Sequence, residues 1–321
     1  MQAIVQTAYG LPDVLELRET DKPVVGDDDV LVRVHAAGLH AGDYFTLRGE
    51  PYLVRFFTGW PKLKNYVPGF AVAGRVETVG KSITRFEPGD EVFGECRGAC
   101  AEYARVPEAT LAPKPVNLTF EQAAAVPTSA LAALHGLRDA GKVQPGQRVL
   151  INGASGGVGI FAVQIAKSLG AEVTGVCSTR NVAMVQSIGA DHVIDYTKQD
   201  FTRSGAPYDL ILDNVGNRSF SDCRRALTPA GVLLPNTGNA GMSYVLMAFA
   251  RSVFVRQQGR PFVSTPNAED LLVLKELIEA GKLTPVIDRM YRLSETPEAL
   301  DYVGQGHAQG KVVITVWAGD S

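Results

Sequence analysis

The stretch Arg148-Val149-Leu150-Ile151-Asn152-Gly153-Ala154-Ser155-Gly156-Gly157-Val158-Gly159 decides the fold of this chain. Its first five residues are mostly apolar and predict a buried strand. The small residues at 154, 156 and 159 then allow a tight turn, a close approach of the backbone to a diphosphate and close packing of the next helix. We therefore predict a dinucleotide-binding unit, in which a helix N-terminus offers free N–H groups and a positive dipole end to phosphates.

Two other interpretations of this turn stay open at the level of sequence. Residues 153–157 also match the G-x-S-x-G nucleophile elbow of α/β-hydrolases, with Ser155 as the nucleophile. A hydrolase also needs an upstream oxyanion segment of the HGGG type, and the sequence has none. A glycine-rich turn that binds no ligand is the third interpretation.

The pattern on both sides of the turn predicts the architecture. After it, an amphipathic helix over residues 158–169 is followed by strand-like runs, predicted at Glu172–Cys177, His192–Asp195, 209–212 and 231–234. Strands that alternate with helices predict an α/β fold with a doubly wound, parallel Rossmann sheet. Short β-rich runs broken by Gly, Pro and Asp dominate up to about Pro115 and predict a barrel-like antiparallel domain.

The predicted domains are a β-rich domain over residues 1–118, a Rossmann domain over 119–262 and a return to the first domain over 263–321. Thr119 is a candidate N-cap at the point where the pattern changes. The last strand, predicted at 311–316, has no continuation in the wound sheet, so we expect it to pair in the first domain.

Composition excludes several classes of function. The 321 residues carry a net charge of −3 without a dense basic run, which excludes nucleic acid as the natural partner. The four cysteines form no CxxC pair and are too few for a disulfide framework, so a reducing, cytoplasmic setting is expected. The sequence shows neither a signal peptide at its start nor an apolar run of about 20 residues, which predicts a soluble protein with no membrane span.

The residues after the second Rossmann strand indicate which nicotinamide cofactor is bound. An acidic residue at this place usually holds the ribose 2′-hydroxyl of NAD. Here Ser178 and Arg180 supply a hydroxyl and a guanidinium group instead, which favour the 2′-phosphate of NADPH. In the alternative interpretation, Arg180 is an exposed residue at a helix start.

Several further stretches, together with the glycine turn, follow one another in a characteristic order: residues 34–43, 68–76, 86–94, 125–127, 213–216 and 310–313. With these features the whole chain resembles the medium-chain dehydrogenase/reductase superfamily, and within it the zinc-independent quinone oxidoreductases and enone reductases. The resemblance implies a GroES-like catalytic domain built from both chain ends, an inserted Rossmann domain and an active site in the cleft between them.

The same resemblance indicates whether the chain has the ligands for a catalytic metal. The three zinc-ligand positions of the zinc alcohol dehydrogenases correspond to His40, Phe70 and Thr128, and one nitrogen ligand cannot replace three-ligand zinc coordination. The four-cysteine lobe that holds structural zinc in those enzymes is also missing. No metal site is expected. The quinone oxidoreductase branch usually has Asn at position 40 and an acidic residue at position 71, where this chain has His40 and Ala71.

The resemblance also implies the site residues. The phosphates and adenosine of NADPH are expected at Ala154, Ser155, Gly156, Gly157, Val158, Ser178, Arg180 and Tyr196, and the nicotinamide side at His40, Thr128, Asn214 and Lys311. His40, oriented by Asp43, is a candidate catalytic acid because its ordinary pKa is near neutrality. Tyr52 is a weaker candidate acid. Packing is the alternative role for Tyr52, and satisfaction by the backbone at a barrel edge is the alternative for His40.

The expected function is reduction of an electron-poor acceptor, a quinone or an α,β-unsaturated carbonyl, by metal-free hydride transfer. The partner is expected to be a small apolar, electron-poor molecule. The aromatic-rich residues 52–61 favour a bulky, apolar substrate if they cover the site, and they fit a dimer contact or a local mini-core equally well. A homodimer is expected from the prevalence of two-fold assemblies. The alternative functions are a non-catalytic NADPH sensor and a zinc-dependent alcohol dehydrogenase.

Overall fold

The computed structural model describes residues 1–52, 55, 63, 66–203, 205, 207–236 and 257–317. Most of the aromatic-rich segment 52–61, to which the sequence analysis gave a lid or dimer role, lies outside the described residues. Two compact units are present. The first consists of Met1–Leu131, Pro266–Gly281 and Pro285–Ser321, and the second of Ala132–Thr265 and Lys282–Thr284.

The strands are β1 (Gln2–Gln6), β2 (Leu15–Glu19), β3 (Asp29–Leu39), β4 (Ala71–Val79), β5 (Glu91–Glu95), β6 (Tyr103–Pro107), β7 (Leu111–Pro113), β8 (Arg148–Asn152), β9 (Glu172–Cys177), β10 (His192–Asp195), β11 (Tyr208–Asp213), β12 (Leu227–Pro235), β13 (Gln258–Gly259), β14 (Ile287–Arg292) and β15 (Lys311–Thr315). The α-helices are α1 (Ala41–Arg48), α2 (Phe120–Ala124), α3 (Pro127–Leu134), α4 (Gly159–Ser168), α5 (Val182–Ser187), α6 (Phe220–Arg225), α7 (Ala268–Glu279) and α8 (Thr296–Gly304).

The second unit is built on a parallel sheet with the order β10-β9-β8-β11-β12-β13. All of its strand pairs are parallel. This confirms the predicted Rossmann sheet, and strands β8, β9 and β10 have the bounds expected from the sequence. The chain leaves β8 toward β9 and β10 and then returns to the other side of β8 at β11. The ends of β8 and β11 therefore form the topological switch point, where such sheets bind their ligands.

Helix α4 follows β8 as predicted. Its first residue is Gly159, and only glycine fits at this position because a Cβ atom would collide with the backbone carbonyl of Gly153. The first eight residues of the helix are buried. The helix ends before Gly170, whose φ of 82° suits the left-handed conformation that often follows a helix C-terminus.

The first unit contains a seven-stranded sheet in which β14, β15, β3, β4, β5 and β7 follow one another and β6 pairs with β3. The core below it is formed by side chains such as Val32, Val72 and Ile314. Strand β15 runs antiparallel to β3, with Val312 opposite Leu39. This confirms that the C-terminal strand returns to the first domain and that this β-rich unit has the GroES-like architecture.

Helices α1 and α2 begin with capping boxes at the edge of this sheet. The predicted N-cap Thr119 accepts a hydrogen bond from the Gln122 amide at 3.3 Å, and Gln122 Oε1 accepts one from the Thr119 amide at 3.0 Å. Residues 119–131 belong to the first unit, whereas the sequence-based limit at 118 placed them in the second domain. They lie there because α2 packs on β3 and β4. Within the described ranges, no helix combines the length and the apolar character needed to cross a bilayer.

Candidate active site

The glycine turn in the second unit has the form of a diphosphate cradle. Gly153 has a φ of 77°, and the Ala154 amide donates to the Val176 carbonyl at 3.0 Å, which ties the turn to β9. A Cβ atom at Gly156 would meet only the Gly153 carbonyl oxygen, at 3.4 Å, so the space above the turn is open. The N-cap of α4, Val158, provides no side-chain cap. Free amides and open space fit a bound diphosphate.

Ser155 is held in place by a residue that sequence reasoning missed. Its Oγ accepts a hydrogen bond from Asn181 Nδ2 at 2.9 Å, and Asn181 is buried. Within the described part of the chain, Asn181 Oδ1 has no hydrogen-bond partner. A buried orphan acceptor at a nucleotide site suggests a donor from the ligand. In the sequence, nothing marks Asn181 as a site residue except its position next to Arg180.

The ends of β9 and β10 carry the residues predicted to select the cofactor. Ser178 and Arg180 follow β9, and Tyr196 follows β10 with 56% of its surface exposed. The Tyr196 amide donates to the Cys177 carbonyl at 3.0 Å, which places the two strand ends side by side. Ser178, Arg180 and Tyr196 are therefore on neighbouring strand ends, as a binding surface for adenosine requires.

A carboxylate that the sequence analysis overlooked lies at the same place. Asp195 is paired in register with Cys177, and its carboxylate accepts hydrogen bonds from Thr179 Oγ1 at 2.6 Å and Thr197 Oγ1 at 2.7 Å. Lys198 Nζ is 3.1 Å away. The hydroxyl donors, led by Thr179, hold the pKa of Asp195 well below its ordinary value. The predicted preference for a 2′-phosphate would require the positive charges of Arg180 and Lys198 to outweigh the negative charge of Asp195.

Asn214 is fixed at the topological switch point. Its Nδ2 donates to the Asn152 carbonyl at 3.2 Å, and its Oδ1 accepts from Asn236 Nδ2 at 2.8 Å. Next to it, the fully buried Asp213 accepts from Asn152 Nδ2 at 2.8 Å and from the Gly216 amide at 2.9 Å. These bonds join the ends of β8 and β11. A role for Asn214 toward the nicotinamide remains a prediction.

In the first unit, His40 and Asp43 form a close pair at the start of α1. Asp43 Oδ2 accepts from the His40 amide at 2.9 Å. The Nδ1 atom of His40 is 3.1 Å from the Asp43 amide nitrogen and 3.0 Å from Asp43 Oδ2. The neutral ring can therefore accept from the amide, whereas the protonated ring donates to the carboxylate.

Charge and burial compete at His40. Burial acts to lower its pKa, but the charge of Asp43 and the hydrogen bond to it outweigh burial, so the pKa lies above its ordinary value. The Asp43 side chain is fully buried, and its Oδ1 has no hydrogen-bond partner in the described ranges. The protonated form of His40 is therefore favoured more than in an isolated histidine. The role of His40 as a catalytic acid remains a prediction.

Lys311 is a buried cation on β15, 2% exposed. Its Nζ donates to the Leu39 carbonyl at 2.7 Å and to Ser129 Oγ at 2.9 Å. Burial lowers its pKa to about 8, although the charges of Asp43 and Glu95 oppose this change. Thr128, the neighbour of Ser129, lies on α3, close enough to Glu95 to affect the pKa of the Glu95 carboxyl group. The predicted residues His40, Asp43, Thr128 and Lys311 are thus brought together.

Glu95, the partly buried last residue of β5, interacts electrostatically with His40, Asp43 and Lys311 and was not anticipated. It is directly opposite Ala71 on β4. Burial raises its pKa, while the positive charges of His40 and Lys311 oppose the rise. A register between two distant strands leaves no local mark in a sequence, so sequence reasoning had no means to place Glu95 beside His40.

Tyr52 stands apart from the cluster among the contacts of the described residues. Its side chain is 71% exposed, and its ring packs on the Arg55 guanidinium, 4.5 Å from the ring centroid. Its role as a catalytic acid stays a prediction that this arrangement does not favour.

The three positions that correspond to zinc ligands hold His40, Phe70 and Thr128. The ring of Phe70 stacks on His40 with centroids 5.5 Å apart. The described residues contain no group of three or more His, Cys, Asp or Glu side chains placed to hold a metal ion. The four cysteines are free and buried.

A cleft of about 620 Å³ lies in the first unit. Phe70 and Glu95 line it, together with Arg97, Tyr103 and Arg105. Most of the wall is apolar. Glu95 is the member of the charged cluster that lines this cleft, whose wall suits a small molecule with a largely apolar body.

A parallel nucleotide-binding sheet carried in one chain with a GroES-like domain defines a nicotinamide-dependent oxidoreductase. Comparisons with known proteins agree. Residues 26–116 match the family described as alcohol dehydrogenase GroES-like domain, and residues 188–314 match the family described as zinc-binding dehydrogenase.

Two curated relatives and one solved structure are similar over almost the whole chain. The 2-methylene-furan-3-one reductase of Solanum lycopersicum is 34% identical, with 98% of this chain and 79% of the relative covered. The chloroplastic quinone-oxidoreductase homolog of Spinacia oleracea is 32% identical, with 98% of both chains covered. The quinone oxidoreductase structure from Coxiella burnetii is 30% identical, covers 99% of both chains and has a TM-score of 0.88. The chain belongs to the medium-chain dehydrogenase/reductase family.

Proposed function

We propose that the protein is an NADPH-dependent oxidoreductase that reduces quinones or α,β-unsaturated carbonyl compounds without a metal ion. The observation that supports this most directly is the open turn at Gly156 in front of the uncapped helix α4, a cradle for the diphosphate of a dinucleotide. Relatives named as quinone oxidoreductases and as an alkenal/one oxidoreductase support the class of substrate.

The second unit supplies the dinucleotide site in this proposal. The amides of Gly157 and Val158 bind the diphosphate, Ser155 and the orphan acceptor of Asn181 add polar contacts, and Arg180 pairs with the 2′-phosphate. Asn214, fixed by Asn152 and Asn236, presents an oriented amide on the nicotinamide side. When bound, reduced NADP supplies a hydride to the acceptor.

The first unit supplies the polar groups around the acceptor. His40 in its protonated state donates a hydrogen bond to the oxygen on which negative charge develops, and Asp43 holds the ring and stabilises that state. Lys311 adds a positive charge that its bonds to Leu39 and Ser129 keep in place. These groups stabilise an enolate or a hydroquinone anion and do not require a Lewis acid.

The substrate class follows from the same groups. Of the three positions that correspond to zinc ligands, only the one held by His40 has a metal-binding side chain, so no metal is expected to polarise the acceptor. The site therefore suits acceptors that are electron-poor by themselves. Quinones and conjugated carbonyls meet this requirement, whereas a simple ketone depends on stronger polarisation. The apolar wall of the cleft suits a small substrate with few polar groups.

The test is a panel of quinones, enones and simple alcohols or ketones, assayed with NADPH and with NADH at 340 nm. We expect turnover with quinones or enones and a preference for NADPH. Tight NADPH binding without turnover of any substrate would instead establish the sensor alternative. Zinc that copurifies stoichiometrically, with alcohol oxidation that a chelator abolishes, would establish the alcohol dehydrogenase alternative.

A cytoplasmic location and a homodimer remain part of this proposal. Buried free cysteines are compatible with a reducing compartment, while relatives include proteins named as chloroplastic and mitochondrial. Light scattering of the purified protein tests the dimer, and fractionation of the host cell tests the location.

A further inference from the structure

The segment that carries Arg180 is tied to the sheet on both sides. It is a three-residue 3₁₀ turn, Thr179–Asn181, which follows the end of β9. Strand β9 lies between β10 and β8 in the sheet. On the β10 side, Thr179 Oγ1 donates to Asp195 Oδ2 at 2.6 Å. On the β8 side, Asn181 Nδ2 donates to Ser155 Oγ at 2.9 Å. Both neighbours of Arg180 are therefore anchored to the ends of the adjacent strands.

The carboxylate of Asp195 is fully used by this arrangement. Its Oδ2 accepts the Thr179 hydroxyl and lies 3.1 Å from Lys198 Nζ. Its Oδ1 accepts from the Thr197 amide at 3.0 Å and from the Thr197 hydroxyl at 2.7 Å. A carboxylate offers about four lone-pair sites to donors, and these four donors occupy them. Asp195 therefore has no acceptor left for the ribose 2′-hydroxyl of NAD, and Lys198 balances its charge.

The position of Asp195 also differs from that of the acid in an NAD site. That acid follows the second Rossmann strand, which is β9 in this chain, and Ser178 and Arg180 stand there instead. Asp195 ends the third Rossmann strand, β10, and is paired in register with Cys177. Only 12% of its side chain is exposed. Asp195 thus stands beside the segment that selects the cofactor and supports it from the neighbouring strand.

We propose that Thr179 is a positioning residue for cofactor selection and that Asp195 is its anchor. Together with the bond of Asn181 on the other side, this contact fixes the backbone from which the Arg180 side chain reaches the 2′-phosphate of NADPH. The proposal rests on the proposed function, which assigns that phosphate to Arg180. It gives Asp195 a role opposite to that of the acid in an NAD site, because Asp195 supports the binding of the phosphate and does not bind the ribose.

The benefit of such an anchor is entropic. Arg180 is exposed, and a side chain with many rotamers loses conformational freedom when it pairs with a ligand. A backbone that hydrogen bonds already fix on both sides leaves only the side chain to be ordered. Without one anchor, part of the backbone must also be ordered on binding. This weakens the binding of a nucleotide with a 2′-phosphate and leaves the binding of NADH unaffected.

The experiment measures the binding of NADPH and NADH to wild type and Thr179→Val by calorimetric titration. Valine keeps the shape of threonine and removes the hydroxyl, without a change of charge beside the phosphate. We expect the variant to bind NADPH about 2- to 12-fold more weakly, the equivalent of one net hydrogen bond, and to bind NADH within about twofold of wild type. In an Arg180→Ala background, the same substitution should have no further effect on either nucleotide.

Two further variants separate the hydroxyl from a general effect of the substitution. Thr179→Ser retains the hydroxyl and is expected to keep the affinity of wild type for NADPH. Thr228→Val is the matched control, because it removes a contact of 3.4 Å from a threonine hydroxyl to Asp209 near the amino ends of β11 and β12. That edge of the sheet is opposite to the cofactor edge, so we expect the affinities for both nucleotides to stay unchanged.

The outcomes separate this proposal from the proposed function. Equal losses of affinity for NADPH and NADH in Thr179→Val, or no loss for either, overturn the positioning role while the proposed function stands. A loss for NADPH that persists in the Arg180→Ala background also overturns it. Wild-type protein that prefers NADH overturns both the positioning role and the proposed cofactor. Because binding is measured, these results do not depend on the turnover of any acceptor.

Discussion

Replacement of Asp43 by asparagine tests the electrostatic account of His40. The variant keeps the size of the side chain and an oxygen for the His40 amide, but it removes the charge 3.0 Å from His40 Nδ1. A charged hydrogen bond of this kind contributes about 1.5–3 kcal/mol. Because the pair is buried, with side-chain exposures of 18% for His40 and 0% for Asp43, little of this is lost to solvent screening.

The sign of the pH dependence follows from the raised pKa of His40. A histidine with a folded-state pKa above its unfolded value contributes stability that is fully present below about pH 6.5 and is lost as the pH rises through the folded pKa. The stability difference between wild type and Asp43→Asn is therefore about 1.5–3 kcal/mol at pH 6 and shrinks at pH 9. In the variant, the main opposition to the effect of burial is lost, so the pKa of His40 is expected to fall.

The assays are denaturant unfolding at several pH values and NMR titration of the five histidines, with His40 assigned through His40→Gln. Asp222→Asn is the matched control because Asp222 closes a capping box with Ser219 on an exposed helix that has no histidine. We expect its effect to be the same at pH 6 and pH 9. A stability difference for Asp43→Asn that does not depend on pH, or an unchanged His40 titration, would refute the reasoning.

Two other substitutions test the cofactor and the buried cation. Arg180→Ala should weaken NADPH binding by about 10- to 150-fold, the equivalent of one charged contact of about 1.5–3 kcal/mol, and leave NADH binding almost unaffected. Arg203→Ala is the control, because Arg203 is also exposed. Equal losses of affinity for both nucleotides would disprove the contact between Arg180 and the 2′-phosphate. Lys311→Met should lower kcat, and since the pKa of Lys311 is about 8, wild-type kcat should decline above that pH in a way that the variant does not show. An identical alkaline limb in both proteins would assign the decline to another group.

Local patterns were sufficient to predict most of the fold. The alternation of strands and helices from Arg148 onward placed β8, β9 and β10 at their observed bounds. The lone apolar run near the C-terminus was expected to return to the first domain, and it pairs there with β3. The three-residue spacing of His40 and Asp43 indicated their contact, since both lie at one helix start. Each of these signals is contained in a short piece of chain.

The parts of the site that were missed depend on register. Asp195 lies beside the end of β9 through its pairing with Cys177, and Glu95 lies opposite Ala71, within electrostatic range of His40. Asn181 donates a hydrogen bond to Ser155, which lies 26 residues earlier in the chain. Which residues of two strands stand opposite each other is decided by the packing of the whole sheet, so a single sequence carries no direct trace of these neighbours.

Calorimetric titration of NADPH into wild type and Gly156→Ala tests the central claim most directly. The open space above Gly156 tolerates a methyl group, with one backbone oxygen at 3.4 Å, so the variant should fold normally while the methyl group occupies the place of the diphosphate. We predict saturable binding to wild type and a loss of at least about tenfold in affinity for the variant. Absence of binding to wild type, or equal affinity in both proteins, would contradict the account.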